Sequence, residues 1–334
     1  MPTIGDVAKA AGVSRSTVSY ALSGKRTISA DTRRRIDEAI AALNFTPNAG
    51  ARALRTSQTM VLGLLLQFHE DEFAPAMLQY VLPITEAARA MGYDILMMTE
   101  ADGAAALTRV ARSAMVDGLI LLDVTHDDPR LDAVRAAHQP GVLVGLPGDT
   151  DGLDVYDLDF ADAARTLVDH LHALGHADIA LITPPRHVYE RGGAYAWRFR
   201  DAAVERAAHH GIRVTATYGE SRQPSIDQSV HALLDRMTTT TALIVHNDAT
   251  IAALPSLLHR RGIAVPADLS VVSLYSKDFA RTFSLPYTAV ESSPDKLGRL
   301  AVEQLGRRIQ DPGRAGPPVV RFIAAELVDR GSTR

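Results

Sequence analysis

The stretch TIGDVAKAAGVSRSTVSYALSGKRTISADTRRRIDEAIAALNFTPNAGARAL, residues 3–54, decides how the whole chain is read. Thr3 with Asp6 three residues on is a capping-box pattern. Ile4, Val7, Ala8 and Ala11 follow at three- and four-residue spacing, so one side of the first helix is apolar. Gly12 suits the left-handed position that ends a helix. Ser14 caps a second helix at once, with Val18, Ala21 and Leu22 on its buried side and Gly24 at its end. Ser29 caps a third, longer helix in which Ile36, Ala39, Ile40 and Leu43 repeat correctly, stopping near Asn44 ahead of Pro47. Two short helices joined by a tight Gly-containing turn make a helix-turn-helix. Three such helices share a miniature core, predicted as Val7, Val18, Leu22, Ile36, Ile40 and Leu43.

The polar side of the second helix carries the function. In a helix-turn-helix the early residues of that helix enter the major groove and meet base edges. Here they are Arg15, Ser16, Ser19 and Tyr20. An arginine such as Arg15 donates two hydrogen bonds to guanine O6 and N7, worth about 1–3 kcal/mol of discrimination. Ser14, Thr17 and the helix N-terminus are suited to phosphates, which set register without reading sequence. The cap residues Thr3 and Ser29 complete the candidate DNA contacts of the head.

The charge distribution agrees. Residues 1–58 hold nine Lys and Arg against four acids, a local net of +5, although the whole chain of 334 residues has a formal charge of -4. A small basic head on an acidic body points to a polyanionic partner. The composition, 46% hydrophobic and 22% charged, is that of an ordinary soluble protein and excludes a mainly disordered one. There is no Cys, which excludes disulfides, thiolate metal sites and thiol catalysis. The opening residues show no secretory signal and no apolar run approaches a membrane span, so a cytoplasmic protein, nucleoid-associated when on DNA, with no membrane partner is expected.

The quoted stretch resembles the DNA-binding head of the LacI/GalR family of bacterial repressors along its whole length. One departure stands out: Tyr20 occupies a recognition-helix position where many members carry Arg, which bears on the half-site sequence and not on the mode of binding. The resemblance divides the chain into a helix-turn-helix domain over residues 1–46, a hinge over 47–58 and an effector-binding and dimerisation domain over 59–334. The hinge contains helix formers, but Gly50 costs about 1 kcal/mol relative to Ala, and so short a helix is marginal alone. The family pattern implies that paired hinge helices lie in the minor groove, with Leu54 wedging a base step. Asn48, Arg52 and Arg55 join it as candidate DNA contacts.

From residue 60 onward, short apolar runs recur: VLGLLL (61–66), YDILMM (93–98), GLILLD (118–123), VLVG (142–145), IALIT (179–183), TALIVH (241–246), LSVVSLY (269–275) and VVRFI (319–323). Continuous apolar runs suit strands buried on both faces, as in parallel sheets. Helical stretches ending in Gly lie between most of them, which argues α/β architecture. The expected fold is thus an all-α helix-turn-helix head plus an α/β two-lobed body, which resembles the periplasmic-binding-protein-like fold of the family. On that pattern the first lobe comprises about 59–157 and 286–316, and the second about 158–285 and 317–330. Effector would sit between the lobes at the C-terminal ends of strands. Strand ends nominate Gln67, Phe68, Asp123, His126, Tyr156, Asp157, Arg191, Trp197, Arg198, His246, Asn247, Asp248 and Tyr275. Asn247 and Asp248 resemble the family's Asn-Asp pair.

Two departures from the family bear on the effector. In WRFRDAA, pairing Phe199 with the family's aromatic puts Tyr195 where a ligand arginine belongs and Arg198 where a glycine belongs; a shifted register makes Arg198 the ligand arginine. In SVVSLYS, Tyr275 and Ser276 replace two acids, removing a strong acceptor for ligand hydroxyls. Arg191, Arg198 and Arg200 favour an anionic ligand as one alternative to a sugar or sugar derivative. Dinucleotide, P-loop, nucleophile-elbow and zincin motifs are all missing, so neither enzyme activity nor a cofactor is expected. The alternatives to a repressor are an activator of the same family and a solute-binding protein without a DNA role. A homodimer on a near-palindromic operator is expected. The ending ELVDRGSTR lacks the leucine heptads that would make a tetramer.

Overall fold

In the computed structural model, residues 2–23, 26–45, 58–69, 72–311, 313 and 316–334 are described. The chain divides into two units, Met1–Thr59 and Met60–Arg334. The first unit holds three helices: α1 (Ile4–Ala11), α2 (Arg15–Ser23) and α3 (Ala30–Ala42). The predicted capping box forms, with Thr3 Oγ1 accepting from Asp6 N and Asp6 accepting from Thr3 N. Gly12 ends α1 at φ 65°, a conformation open to glycine. The core joins Val7, Ala8, Ala11, Val18, Ala21, Ile36, Ala39 and Phe45. Leu22 departs from the expectation: it is 37% exposed, while Val18 and Ala21 of the same expected side are buried. Ile40 and Leu43 pack against this core only partly buried. Arg33 donates to Ala21 O at 2.8 Å, placing a cation at the C-terminal turn of α2.

The second unit contains two six-stranded sheets. In chain order the strands are β1 (Val61–Leu65), β2 (Asp94–Met98), β3 (Gly118–Leu121), β4 (Gly141–Val144), β5 (Asp154–Leu158), β6 (Asp178–Thr183), β7 (Arg213–Tyr218), β8 (Ala242–Val245), β9 (Ser270–Tyr275), β10 (Thr288–Glu291), β11 (Val320–Ile323) and β12 (Leu327–Val328). The first sheet runs β11-β5-β4-β3-β1-β2, all parallel. The second runs β12-β10-β9-β8-β6-β7, parallel except where β12 pairs antiparallel with β10. Each sheet is packed on both faces, giving two apolar clusters per lobe. This double burial explains why the strands read as continuous apolar runs.

Every apolar run quoted above becomes a strand. Four strands were not among them. DVYDL is interrupted by charge, TAVE is a four-residue strand ending on a charge, RVTATY is a largely exposed edge strand, and LV is two residues long. Strand β5 tolerates its acids because each has a fixed partner. Arg308 holds the buried Asp154 through Nε at 2.7 Å and Nη2 at 2.9 Å, and Val319 N donates to the same carboxylate at 2.9 Å. That clamp also fixes the start of β11 against β5.

The strand pairing places the later crossings between lobes after the expected positions. Thr288–Glu291 still belongs to the second sheet, so the chain leaves that lobe near residue 292, not 286. Val320–Ile323 still belongs to the first, so the last crossing falls at about 324–326, not 316. The first crossing follows Leu158, as expected. Helix Pro294–Gln310 lies between the two later crossings, and its Leu297, Ala301, Val302 and Leu305 enter the core of the first lobe.

Candidate functional site

On the head, α2 is held by α1 and α3 so that its polar side stays open. Ser14, Arg15, Ser16 and Tyr20 are exposed, and Thr17 and Ser19 partly so. Ser14 Oγ accepts from Thr17 N at 3.1 Å and bonds its hydroxyl at 2.8 Å, which caps α2. Ser29 does the same for α3, accepting from Thr32 N at 3.3 Å. Thr3, Ser14 and Ser29 therefore have established cap roles, and all three are exposed. The Arg15 guanidinium lies over Gly5 of α1, where a Cβ would stand only 2.9 Å from Nη2. Glycine at position 5 thus leaves room for the arginine that begins α2. Tyr20 carries the Arg26 guanidinium 5.9 Å from its ring centroid. The hinge candidates Asn48, Arg52, Leu54 and Arg55 lie outside the described residues.

In the body, a cavity of about 200 Å³ lies where the C-terminal ends of both parallel sheets converge. That is the crevice in which open α/β sheets bind ligands. Asp123 and Val124 come from the end of β3, Gly145 and Leu146 from β4, and Asp157 from β5. Across from them stand Pro184 and Pro185 after β6, His246 to Ala249 after β8, and Leu274 with Tyr275 on β9. Arg191, Tyr195 and Arg198 also line it, so Tyr195 and Arg198, the rival positions for a ligand arginine, both reach the cavity.

Five of the residues nominated from strand ends are placed elsewhere. Gln67 turns away and donates to Ala101 O at 2.8 Å, and Phe68 is 42% exposed and does not line the cavity. His126 and Trp197 pack edge to face with centroids 5.7 Å apart, outside the lining. Tyr156 is in the core of the first lobe. Asn247 and Tyr275 line the cavity but have structural partners. Asn247 Oδ1 caps helix Asp248–Arg260 by accepting from Thr250 N at 2.8 Å, and the Tyr275 hydroxyl donates to Tyr287 O.

Sequence reasoning missed Glu72, Phe73, Met77, Gln79 and Tyr80, which enter the cavity from the segment leading into helix Ala74–Ala90 and from its first turns. The available signal was positional, since a helix after β1 begins at the same sheet end as the ligand crevice.

Polar bridges span the lobes. Arg191 of the second lobe pairs with Glu72 of the first and lies 3.5 Å from Asp123. Arg198, on helix Ala194–His209, pairs with Asp157 of β5. Ser276 donates to Gln79 Oε1 at 2.6 Å, and Gln79 Nε2 reaches Asp248 at 3.5 Å. Burial pushes Asp157 up to about 6, against the pull of Arg198. Burial likewise pushes Asp248 up to about 6, and drives His246 down to about 3. For Asp123 burial acts upward, but His69, Arg191 and Arg130 together hold it below the ordinary carboxylate value. Its backbone is fixed in the left-handed region, at φ 50°, by Arg130, which donates to Asp123 O at 2.8 Å while paired with the buried Asp128. His69, Glu72 and Asp123 have donor atoms within 4.8 Å of one another, but Arg191 contributes its charge to two of the three.

A second groove is lined by Leu78 and Leu82 of helix Ala74–Ala90 and by Phe279 and Phe283 of the second lobe, with the charged Glu86, Lys277, Asp278, Glu291 and Asp295 around them. Leu82 is 60% exposed and Met97 and Met115 are exposed as well. No helix among the described residues is long and apolar enough to cross a membrane.

A helix-turn-helix with an open recognition face, together with a two-lobed α/β body built around an inter-lobe cavity, defines a ligand-responsive transcription regulator. Residues 3–48 match the bacterial regulatory proteins of the lacI family, and residues 168–333 match a periplasmic binding protein-like domain. The chain is 31% identical to the HTH-type transcriptional regulator PtxS of Pseudomonas plecoglossicida, over 99% of this chain and 95% of that one. It is 29% identical to the HTH-type transcriptional repressor PurR of Glaesserella parasuis serovar 5 (strain SH0165), over 100% and 99% of the two chains. Among solved structures it is similar to the lac repressor dimer bound to operator and the anti-inducer ONPF, at 25% identity, TM-score 0.80 and 99% of each chain. It is also similar to the transcriptional regulator CelR–cellobiose complex, at 26% identity and TM-score 0.68, over 99% of this chain and 100% of that one. The chain belongs to the LacI family of bacterial transcription regulators, a family without enzymatic activity.

Proposed function

We propose that this regulator is a repressor that binds a near-palindromic operator as a homodimer and is controlled by a small molecule, a sugar or sugar derivative, held between its lobes. The observation that carries the reading is the exposed polar side of α2. Arg15, Ser16, Ser19 and Tyr20 face the bases, while Ser14, Thr17, Thr3, Ser29 and the hinge residues Asn48, Arg52 and Arg55 hold phosphates and Leu54 wedges a base step. The lac repressor dimer on its operator supports the same arrangement by similarity. The groove in which Leu78, Leu82, Phe279 and Phe283 are ringed by charged residues supports pairing of two copies through this side of the body.

Control follows from the cavity. Its walls belong to different lobes, so a bound molecule has different contacts in the open and closed body and shifts the balance between them. The coupling is reciprocal: whatever factor the effector imposes on operator affinity, operator imposes on effector affinity. Arg191, Tyr195, Arg198, Asp123, Asn247 and Tyr275 remain the effector contacts in this reading. The test is fluorescence anisotropy of full-length protein on operator DNA selected from a random pool, titrated with sugars, sugar phosphates, nucleosides, amines and acids. The expected result is tight binding to one palindromic site and a compound that changes that affinity by about fivefold or more. Equal affinity for selected and random duplex sinks the reading.

A further inference from the structure

The class of molecule that the cleft takes can be narrowed; this inference rests on the reading above and deepens it. Four carboxylates, those of Glu72, Asp123, Asp157 and Asp248, line the cavity against two guanidinium groups, those of Arg191 and Arg198. Both guanidinium groups are already matched. Arg191 pairs with Glu72 and lies 3.5 Å from Asp123, and Arg198 pairs with Asp157. Asp248 has no such partner: no cationic side chain among the described residues forms an ion pair with it, and the neutral amide of Gln79 reaches it only at 3.5 Å. His69, 3.5 Å from Asp123, is a further partner for that carboxylate, so the unmatched acid of the lining is Asp248.

The cavity that Asp248 lines is aromatic as well as acidic. The Asp248 charge acts on both Tyr80 and Tyr195, which line the same cavity. The cavity already places one cation on an aromatic face, the Arg198 guanidinium 5.4 Å from the Phe160 centroid. A partly desolvated carboxylate in a cavity lined by aromatic rings is an environment that favours a cation. A neutral polyol brings only hydroxyl dipoles to that charge, and an anion adds to the excess. A second, independent feature points to a ligand: His246, 6% exposed, lines the cavity packed among Phe160, Tyr195 and Phe199, and its buried Nδ1 has no hydrogen-bond partner. Because burial keeps that imidazole neutral, it offers a hydrogen bond without opposing a positive group.

We propose that the cleft selects a small ligand carrying a protonated amine, seated against Asp248 beside Tyr80 and Tyr195, with His246 bonding a polar group of the same molecule.

The experiment is isothermal titration calorimetry on the full-length protein at neutral pH with matched probes. Glucosamine, galactosamine, agmatine and putrescine form the amine arm, glucose and galactose the neutral arm, gluconate and glucose 6-phosphate the acidic arm. The expected result is that an amine binds at least about tenfold more tightly than its neutral or acidic counterpart, a difference of ~1.4 kcal/mol. Asp248→Asn should bring that ratio to near one with the thermal midpoint unchanged, and Asp248→Ser serves the same purpose should the amide variant fail to fold. Failure of every amine to bind, a neutral or acidic counterpart that binds as well, or a preference that survives loss of the Asp248 charge overturns the proposal. Binding in the neutral or acidic arm alone refutes the amine assignment and leaves the regulated cleft standing. Silence in all three arms, with no effect of any probe on operator affinity, refutes both.

Discussion

Replacing Arg198 by methionine tests the electrostatic account of the cleft most directly. Methionine keeps an unbranched stem and a good helix propensity, so the main loss is the charge beside Asp157. Asp157 is 5% exposed and stands at about 6 even with Arg198 present. Without the guanidinium, burial is opposed only by the backbone hydrogen bonds from Leu158 and Leu146, and the carboxyl stays protonated in the fold above that value. At pH 8, two units above it, holding the proton costs roughly 3 kcal/mol at about 1.36 kcal/mol per unit. A further ~0.5–1 kcal/mol goes with the lost cation–ring contact to Phe160. The sign with pH follows from the direction of the shift. The folded-state value lies above the ordinary 3.8, so this group destabilises the fold at high pH, and stability returns as pH falls through about 6 toward 3.8. The deficit of Arg198→Met against the parent should therefore be near 3–4 kcal/mol at pH 8 and shrink to about 1 kcal/mol at pH 5, read as urea midpoints by far-ultraviolet circular dichroism. An equal deficit at both pH values would mean that Arg198 acts through packing alone, and the argument for a desolvated ion pair would fail.

Three further outcomes are expected. Arg15→Ala should weaken operator binding by about 1–3 kcal/mol and relax preference at one base position per half-site; undiminished selectivity in a binding-site selection would refute its base-reading role. Leu54→Ala should lower operator affinity while leaving the thermal midpoint of the body within about 1 °C, since surface or linker changes fall within roughly 0.5 kcal/mol; unchanged affinity rejects the wedge. Leu82→Glu, at a position 60% exposed, should convert dimer to monomer in sedimentation velocity, because a charge is then desolvated at an apolar contact; persistence of the dimer moves the interface elsewhere.

What could be read in advance was whatever depended on local periodicity. The head was legible because each helix announces its own start, through Thr3, Ser14 and Ser29, and repeats its apolar residues at helical spacing. Leu22 was misplaced because both Ala21 and Leu22 lie within the rotational tolerance of a nine-residue helix, and only packing against α3 chose the alanine. In the body, doubly buried strands were legible as apolar runs, whereas β5 was hidden by Asp154 and Asp157. Their partners, Arg308 and Arg198, lie far along the chain, so nothing local signals that these acids are matched. The cleft was half legible for the same reason. Residues directly after strands, such as Asp123 and Asn247, could be nominated, but Gln79 and Tyr80 reach the cavity only through the packing of a helix whose orientation no short window encodes.

Trp197 is the only tryptophan in the chain, and it projects from the second lobe against His126 of the first, beside a backbone bond from His126 N to Gly192 O at 2.8 Å. The unlabelled protein thus carries its own optical gauge of lobe separation. Parting the lobes strips the imidazole from the indole and admits solvent, so emission should shift to longer wavelength, and stopped-flow recording of that shift would time the opening without a dye or an engineered cysteine.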